Sequence, residues 1–376
     1  MVLSNLPEEI QVDIFIKLPV KSILACRCVC RVWHSLIGKH NFVKTHLDHA
    51  IRNPKLMLQS VGFKKFTGSM FRSIDYVIED MSSTSPTECA SDGAIPVGYL
   101  IRDMLNDSLD IRILGSCNGL ICMALNLYKD ICIWNPSTGE YKKMQTPFCD
   151  PLISPLSLMQ DEFGFCYDCI GDDYKLVRIS YKGSSDQVNV YSLGSKSWKR
   201  IQNPNHFMIF TSKINTVHFL NGALHWIGFN NISTMCSRVV ISFDASTQRF
   251  VDILFPKEAQ LSYIRDCLGV LEDRLSLGIY HNQCIDVWLM QDYGVTESWS
   301  KRFSFSTTNI VMSHLKFLWS FKNGELLIKN GSDNLLYDPK NEKFKVLKIQ
   351  GMDDIDMQRS VLLNYVESLV SPNSID

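Results

Sequence analysis

Residues 6–47 read LPEEIQVDIFIKLPVKSILACRCVCRVWHSLIGKHNFVKTHL, and this stretch has the clearest helical pattern in the chain. Pro7 suits the first turn of a helix, where its missing N–H would have no partner in any case. Ile10 and Ile14 follow at helical spacing. Pro19 ends this first helix and opens a second, and a third follows. The stretch therefore predicts a small module of three α-helices.

A motif within these helices resembles the F-box of plant proteins. The resemblance extends from Leu6 to Leu47 at the usual spacing, although Ala25 stands where the family often has an arginine. It implies that residues 1–47 bind a Skp-type adaptor and, through it, a cullin and a RING protein. The residues implied in adaptor binding are Leu6, Pro7, Ile10, Ile14, Leu18, Pro19, Val20, Ile23, Leu24, Cys28, Val29, Trp33, Leu36 and Ile37.

The apolar residues of this module have two interpretations. A domain of about 40 residues buries little surface and is marginally stable alone. We therefore expect its apolar faces to include a partner surface, as when a helix binds in a groove. The alternative is that the same residues form only the core of a three-helix domain. The sequence does not assign each residue to core or surface.

The composition is that of a folded protein without a basic nucleic-acid-binding field. Formal net charge is −1, from 38 basic and 39 acidic residues, and 45% of the 376 residues are hydrophobic. The N-terminus lacks the pattern of a signal peptide, and no apolar run approaches the ~20 residues of a membrane span. We therefore expect a cytosolic or nuclear protein without membrane insertion, whose 13 cysteines are reduced.

Residues 48–376 contain a repeated β-hairpin. Five times, a β-branched run ends at an aromatic residue, turns on polar residues and restarts at a second aromatic. In four hairpins the two aromatics are seven residues apart, and successive hairpins lie 45 to 57 residues apart, the size of a propeller blade. The aromatic pairs are Trp134 and Tyr141, Tyr191 and Trp198, Phe243 and Phe250, Trp288 and Trp299, and Tyr337 and Phe344.

The repeats predict a fold that is mainly β, with the helical module at its N-terminus. Five hairpins and two early strands, at about 54–59 and 71–79, predict a β-propeller-like domain of six blades. We expect the run 361–369 to pair into the first blade, because closure removes a bare strand edge. Residues 80–94, rich in Ser and Thr, predict a mobile loop. A pair of packed β-sheets is the alternative architecture.

The β repeats also resemble the F-box-associated interaction domain of plant F-box proteins, a family that includes kelch-like and S-locus F-box members. The family includes pollen self-incompatibility proteins and relatives that restrain immune receptors. The resemblance therefore implies recognition of a protein substrate without selecting one. It is carried by the segments Gly115–Leu120, Trp134–Thr138, Phe163–Phe165, Asp173–Arg178, Ser197–Lys199, Asn221–Trp226 and Tyr365–Leu369.

The sequence contains no recognisable catalytic or metal-binding motif. Cys166 and Cys169 form a lone pair without a second pair at zinc spacing. Phosphate-binding, dinucleotide-binding and nucleophile-elbow motifs do not occur. His225 lies in an apolar strand and is predicted to be a hydrogen-bonded structural histidine. We predict no catalytic residue, no metal and no cofactor.

The leading hypothesis is a non-catalytic substrate receptor of an SCF-type (Skp-cullin-F-box) ubiquitin ligase, whose β domain binds an unidentified protein substrate. One alternative is a β-propeller enzyme or carbohydrate-binding protein with an F-box-like cap. Such a protein would bring polar groups together at the central channel, which residue spacing does not predict. Another alternative is an F-box scaffold that acts without a cullin.

Overall fold

The protein has a mainly β domain preceded by helices, as the sequence predicts. The β domain is arranged as a propeller. The computed structural model describes residues 6–52, 54–60, 70–74, 87–89, 111–125, 128, 130–145, 161–182, 185–201, 207–209, 217–230, 237–259, 266–281, 283–307, 315–321, 323–331, 333–349 and 361–373.

Four helices form the N-terminal module, where the sequence predicts three. Pro7 and Pro19 directly precede the first and second helices and so mark their starts. The additional helix arises because Phe42, His46 and Leu47 recur at helical spacing and are all buried. The helices are α1 (Glu8–Phe15), α2 (Val20–Arg27), α3 (Arg31–Ile37) and α4 (His40–Ala50).

The strands form a ring of sheets. The first three are β1 (Lys55–Ser60), β2 (Met70–Ile74) and β3 (Thr87–Cys89). Blade 1 contains β4 (Ile111–Cys117), β5 (Leu120–Leu125), β6 (Asp130–Trp134) and β7 (Tyr141–Gln145). Blade 2 contains β8 (Glu162–Asp168), β9 (Asp173–Lys182), β10 (Ser185–Ser192) and β11 (Ser197–Ile201). Blade 3 contains β12 (Phe207–Ile209), β13 (His218–Leu220), β14 (Ala223–Asn230), β15 (Ser237–Asp244) and β16 (Phe250–Leu254).

Two more complete blades and the last strand finish the ring. Blade 4 contains β17 (Cys267–Leu271), β18 (Arg274–His281), β19 (Cys284–Met290) and β20 (Trp299–Ser306). Blade 5 contains β21 (Leu315–Ser320), β22 (Leu326–Asn330), β23 (Asp333–Asp338) and β24 (Lys343–Ile349). The last strand is β25 (Val361–Tyr365), which joins β1 and β2 in a three-stranded sheet.

The C-terminal strand closes the ring, as predicted. β25 pairs antiparallel with β1, and Leu362 lies opposite Leu58. The predicted number of blades is wrong within the described residues, because five blades are complete and the sixth position holds only three strands. β3, which the sequence analysis places in a mobile loop, pairs in parallel with β24 at the rim of blade 5. These residues therefore extend blade 5 and do not complete the sixth sheet; the rest of the predicted loop lies outside the described residues.

The innermost strands line a central channel. In ring order they are β25, β4, β8, β13, β17 and β21, and each contacts the next. A Cβ atom on Gly115 of β4 would lie only 2.8 Å from the Cβ of Phe165 in β8. Glycine at this position therefore lets two neighbouring inner strands approach each other.

The aromatic residues of the hairpins pair as their spacing predicts in four blades. Trp134 lies opposite Tyr141, and the corresponding residues pair in blades 2, 3 and 5. In blade 4 the pairing differs, because Trp299 lies opposite Met290 rather than Trp288. The first aromatic of each pair in blades 1, 3 and 5 is 0–2% exposed. These rings pack between blades and form the core of the propeller.

Candidate functional site

A hydrogen-bonded core fixes the helices of the N-terminal module. The Nε1 of Trp33 in α3 donates to the Oε1 of Gln11 in α1 at 2.8 Å, and the Nε2 of Gln11 donates to the carbonyl of Leu6 at 2.7 Å. The ring of Phe15 packs edge-on against Trp33, with centroids 5.0 Å apart. Gln11 is buried, although a glutamine in an amphipathic helix is usually exposed, so the sequence analysis did not identify it. These contacts hold α1 and α3 in one relative orientation.

Five of the residues predicted to bind the adaptor lie in the core of the module. Val20, Ile23, Trp33, Leu36 and Ile37 are 0–8% exposed and pack together in the core of the module. Such side chains have almost no surface to offer a partner. They hold the helices together. The sequence prediction included them because helical spacing alone does not distinguish a buried face from an exposed one.

The remaining predicted residues lie at or near the surface. Pro7, Ile10, Ile14, Pro19, Cys28 and Val29 are exposed, while Leu6, Leu18 and Leu24 are half-buried. Val32, which the sequence analysis did not assign to the adaptor surface, is 68% exposed and Val29 is 65% exposed. Ile10 and Ile14 lie one turn apart on the same face of α1. We call Ile10, Ile14, Val29 and Val32 the exposed apolar set.

The helical module is docked on one face of the propeller. Leu369, which follows β25, is 9% exposed and packs within the helical core. His40 at the start of α4 lies 3.3 Å from the carboxylate of Asp172 in the β8–β9 turn. The module therefore contacts the end of the propeller where the turns β4–β5 and β8–β9 lie.

The C-terminal segment is held at this face by Asn135. The Nδ2 of Asn135 donates to the carbonyls of Ser368 at 3.0 Å and Val370 at 2.7 Å, and Asn135 is 0% exposed. Gly119 has φ of +79°, and a Cβ there would overlap the Oγ of Ser368. Gly119, Asn135 and Ser368 belong to three of the segments that carry the family resemblance. These segments therefore meet here, and they connect blade 1 to the residues that support the helical module.

Charged groups converge at the opposite face of the propeller, where the inner strands begin. Arg112 in β4, Glu162 in β8, His218 in β13 and Lys316 in β21 are each the first or second residue of their strand. Since β8 and β21 lie three positions apart in the six-membered ring, Glu162 and Lys316 are on opposite sides of the channel. We call these four residues the channel-mouth cluster.

Electrostatic interactions cross this channel. Burial raises the pKa of Glu162 to about 7, although Arg112 and Lys316 act to lower the pKa. Burial lowers the pKa of Lys316, which Arg112 lowers further. Sequence reasoning missed this cluster because its members are up to 204 positions apart (112 to 316) and meet only when the ring closes.

His225 is a buried structural histidine, as predicted. Its Nδ1 lies 3.2 Å from the carbonyl of His218, and its Nε2 lies 2.8 Å from the hydroxyl of Tyr293. The residue is 0% exposed. Burial lowers the pKa of His225 to about 4, so the imidazole is neutral at pH 7.

We expect the free energy of unfolding to fall as pH decreases from 6.5 to 4. Unfolded His225 binds a proton near pH 6.5, whereas burial lowers the folded pKa to about 4. The unfolded state therefore binds more protons, and stability present above pH 6.5 is lost at about 1.4 kcal/mol per pH unit. His218 acts in the same direction, because burial also lowers its pKa to about 4. Urea denaturation from pH 7.5 to 4.5 should show a shallower slope for His225→Gln, and equal slopes would contradict the prediction.

The structure also bears on metal, thiol and membrane properties. Among the described residues, no group of three or more His, Cys, Asp and Glu side chains is arranged to hold a metal ion. The ten cysteines whose side chains the structure describes are free thiols; Cys166 is buried, whereas Cys169 is exposed. No helix in the described part of the chain is long and apolar enough to cross a membrane.

Two families match the chain. Residues 3–45 match the family described as F-box domain, and residues 78–372 match the family described as F-box associated beta propeller domain. The second match covers most of the chain.

Curated relatives from Arabidopsis thaliana match over nearly the full length. F-box/kelch-repeat protein At3g23880 is 26% identical over 99% of this chain and 97% of its own. F-box protein CPR1 is 25% identical over 93% of this chain and 85% of its own. A solved acylaminoacyl peptidase from Pyrococcus horikoshii is 12% identical, with a TM-score of 0.36 over 66% of this chain and 40% of its own. That likeness is too weak to bear on activity.

Proposed function

The chain belongs to the F-box proteins that carry an F-box-associated β-propeller domain, and we propose that it is the substrate-recognition subunit of an SCF-type ubiquitin ligase. The helical module binds a Skp-type adaptor and, through it, a cullin and a RING protein. The propeller binds a protein substrate. The observation that carries this proposal is an F-box with exposed apolar side chains, docked on one face of a propeller.

In this proposal the chain itself is not catalytic. It brings a substrate lysine close to the ubiquitin carrier that the other subunits hold, so its contribution is proximity and orientation. The fixed docking of the helices supports this role. Leu369 in the helical core and Asn135 at the C-terminal segment connect the adaptor-binding module to the propeller without a long flexible linker.

We expect the double substitution Val29→Asp and Val32→Asp to weaken binding of a Skp-type adaptor at least tenfold. Both valines are more than 60% exposed, so the substitutions spare the helical core. In a complex, however, they would place two charges in an apolar interface, and burying an unpaired charge is costly. Co-purification with the co-expressed adaptor, followed by titration of the purified proteins, measures the change.

Val251→Asp is the matched control. Val251 lies on β16 in blade 3 and is 56% exposed. This variant should bind the adaptor as the wild type does. Full adaptor binding by the double variant would contradict the assignment of this surface.

The alternatives make different predictions for the same samples. A scaffold that acts without a cullin would co-purify with the adaptor but not with a cullin. A propeller enzyme or carbohydrate-binding protein is favoured by one observation, the channel-mouth cluster, and would bind its ligand in the absence of the adaptor. Titration of the isolated chain with an oligosaccharide panel tests this second candidate.

The proposal extends to the biological pathway in which the protein acts. The family resemblance supports either pollen self-incompatibility or turnover of an immune receptor, in the cytosol or nucleus. Proximity labelling with the Val29→Asp and Val32→Asp variant would identify the substrate, because a receptor that cannot join the ligase retains its target. If the labelling enriches neither self-incompatibility proteins nor immune receptors, both pathway assignments are wrong.

A further inference from the structure

The outer strands of four blades carry positively charged residues. Lysine on an outer strand discourages another chain from pairing with the edge of the sheet. Each of these four strands has at least two lysine or arginine residues, and blades 1, 2, 4 and 5 are therefore protected against strand addition. The residues are Lys142 and Lys143 on β7, Lys199 and Arg200 on β11, Lys301 and Arg302 on β20, and Lys343, Lys345 and Lys348 on β24.

The outer strand of blade 3 lacks this protection. β16 has the sequence FVDIL, without lysine or arginine, and it is the outermost strand of its sheet in the described part of the chain. The nearest cations in the sequence, Arg249 and Lys257, lie outside the strand. Val251 is 56% exposed and Leu254 is 42% exposed. Among the outer strands of the five complete blades, β16 is therefore the one with exposed apolar residues and no protecting cation.

The edge formed by β16 is rigid and apolar on both faces. Val251 and Leu254 are three positions apart, so their side chains leave opposite faces of the strand. Ile253 and Phe255 anchor the strand, because they are 3% and 0% exposed. The Nε1 of Trp299 in blade 4 donates to the carbonyl of Leu254 at 3.0 Å, which fixes the end of the strand. A segment that paired with β16 would bury apolar surface without first having to order the edge.

Blade 5 shows that this propeller accommodates an additional strand at its rim. β3 pairs in parallel with the outer strand β24, where Thr87 lies opposite Leu347. The added strand lengthens the sheet of blade 5 to five strands. An extended segment at β16 would extend blade 3 in the same way.

The charge of β16 favours a basic partner over a second copy of this chain. Asp252 is the central residue of the strand. In a symmetric pair of two β16 strands, Asp252 would lie opposite its own copy, and like charges in that position destabilise a strand pair. A lysine or arginine at the same position would instead form a favourable cross-strand pair. A basic segment would also be repelled by the cations of the other four outer strands, which makes β16 selective for it.

We propose that β16 binds an extended segment of the protein substrate by β-strand addition; this assignment rests on the proposed function. The segment carries a lysine or arginine opposite Asp252 and apolar residues beside Val251 and Leu254. Hydrogen bonds between the two main chains provide affinity in this mode of binding, and the neighbouring side chains provide specificity. The ligand class is therefore a basic, apolar peptide segment in the extended conformation.

The first test uses the full chain in complex with its adaptor and three fluorescein-labelled peptides with blocked ends. The parent peptide is Gly-Thr-Val-Lys-Val-Thr-Gly, the second has glutamate in place of lysine, and the third is the parent N-methylated at its three central residues. Fluorescence anisotropy measures the dissociation constants. We expect the parent to bind at least tenfold more tightly than either counterpart, because one has the wrong charge and the other lacks main-chain donors. Equal binding of the N-methylated peptide would overturn strand addition, and equal binding of the glutamate peptide would overturn the assignment to a basic segment.

Substitutions on β16 test the location of the site. Val251→Lys with Leu254→Lys gives this strand the cations that the other outer strands carry, so the parent peptide should bind at least tenfold more weakly. The control, Tyr141→Lys with Val346→Lys, adds the same charge on β7 and β24 at residues that are 38% and 51% exposed. The control should bind the peptide as the wild type does. Unchanged binding by the β16 variant, or an equal loss by the control, would overturn the proposal.

Sedimentation velocity of the same complex distinguishes a substrate segment from a second copy of the chain. We expect one copy of the chain in each complex, because self-pairing would place Asp252 opposite itself. A dimer of wild-type complexes that Val251→Lys with Leu254→Lys separates would overturn the assignment to a substrate segment and would identify β16 as a self-association edge.

The two proposals fail in different ways. All variants in these experiments should retain the adaptor, because none alters the helical module. Loss of adaptor binding by the wild-type chain would refute the proposed function. Retention of the adaptor without selective binding of the parent peptide would refute only the inference about β16.

Discussion

A chain that ends at residue 360 is expected to lose at least 5 kcal/mol of its free energy of unfolding. The truncation removes β25, which pairs with β1 and closes the ring between β21 and β4. It also removes Leu362, Tyr365 and Leu369, which are 5%, 3% and 9% exposed. Burial of each large apolar side chain contributes about 1.5–3 kcal/mol. Because typical domains are stable by only about 5–15 kcal/mol, much of the population should unfold.

The truncation should affect the helical module as well as the propeller. Leu369 packs within the helical core, and Asn135 of blade 1 loses both carbonyl acceptors in the C-terminal segment. Urea denaturation followed by tryptophan fluorescence, together with limited proteolysis, measures both effects. A chain that ends at residue 373 retains every described residue and serves as the control. An unchanged transition for the shorter chain would show that β25 is not required for closure.

The hairpin pairs could be predicted from the sequence because their contacts are local. Trp134 and Tyr141 are seven residues apart and connected by a tight turn, so the spacing nearly determines which residues lie opposite each other. In blade 4 the turn is longer and a register shift occurs between Val287 and Trp288. A register shift depends on packing with neighbouring strands, and spacing alone does not reveal it. The turn itself joins Met290 to Trp299, so Trp299 lies opposite Met290, a register that the spacing of eleven residues between Trp288 and Trp299 does not indicate.

Periodicity only partly predicts which residues of the helical module are exposed. Val20 and Val29 both lie at positions that the motif assigns to adaptor binding, yet Val20 is 1% exposed and Val29 is 65% exposed. The difference arises because the helices pack on one another and on Leu369, which is more than 300 positions away in the sequence. The channel-mouth cluster and β3 depend on similarly distant contacts. Such contacts form only when distant parts of the chain come together, and they are not encoded in any single repeat.

Lys175→Met is expected to lower the free energy of unfolding by about 3–5 kcal/mol, which is typical when one partner of a buried ion pair is removed. The Nζ of Lys175 in blade 2 lies 2.5 Å from the Oδ2 of Asp168 and 2.7 Å from the carbonyl of Ala245 in blade 3. Ser246 also donates to Asp168 at 2.6 Å. Burial alone would raise the pKa of Asp168, but hydrogen bonds from Gly171, Lys175 and Ser246 lower it to about 2. The carboxylate is therefore charged at neutral pH.

The large effect of Lys175→Met follows from what remains after the substitution. Methionine fills much of the same volume, but it leaves the charge of Asp168 buried without its cation, and it removes a hydrogen bond between blades 2 and 3.

Lys301→Met is the matched control, because Lys301 pairs with Asp286 at 2.7 Å but its side chain is 44% exposed. A loss below about 1 kcal/mol is expected for this variant. Adding Asp168→Asn to Lys175→Met should restore part of the stability, since it removes the isolated charge. Urea denaturation at pH 7 measures all three variants. Equal losses for Lys175→Met and Lys301→Met would show that the buried Lys175–Asp168 pair contributes no more to stability than an exposed pair.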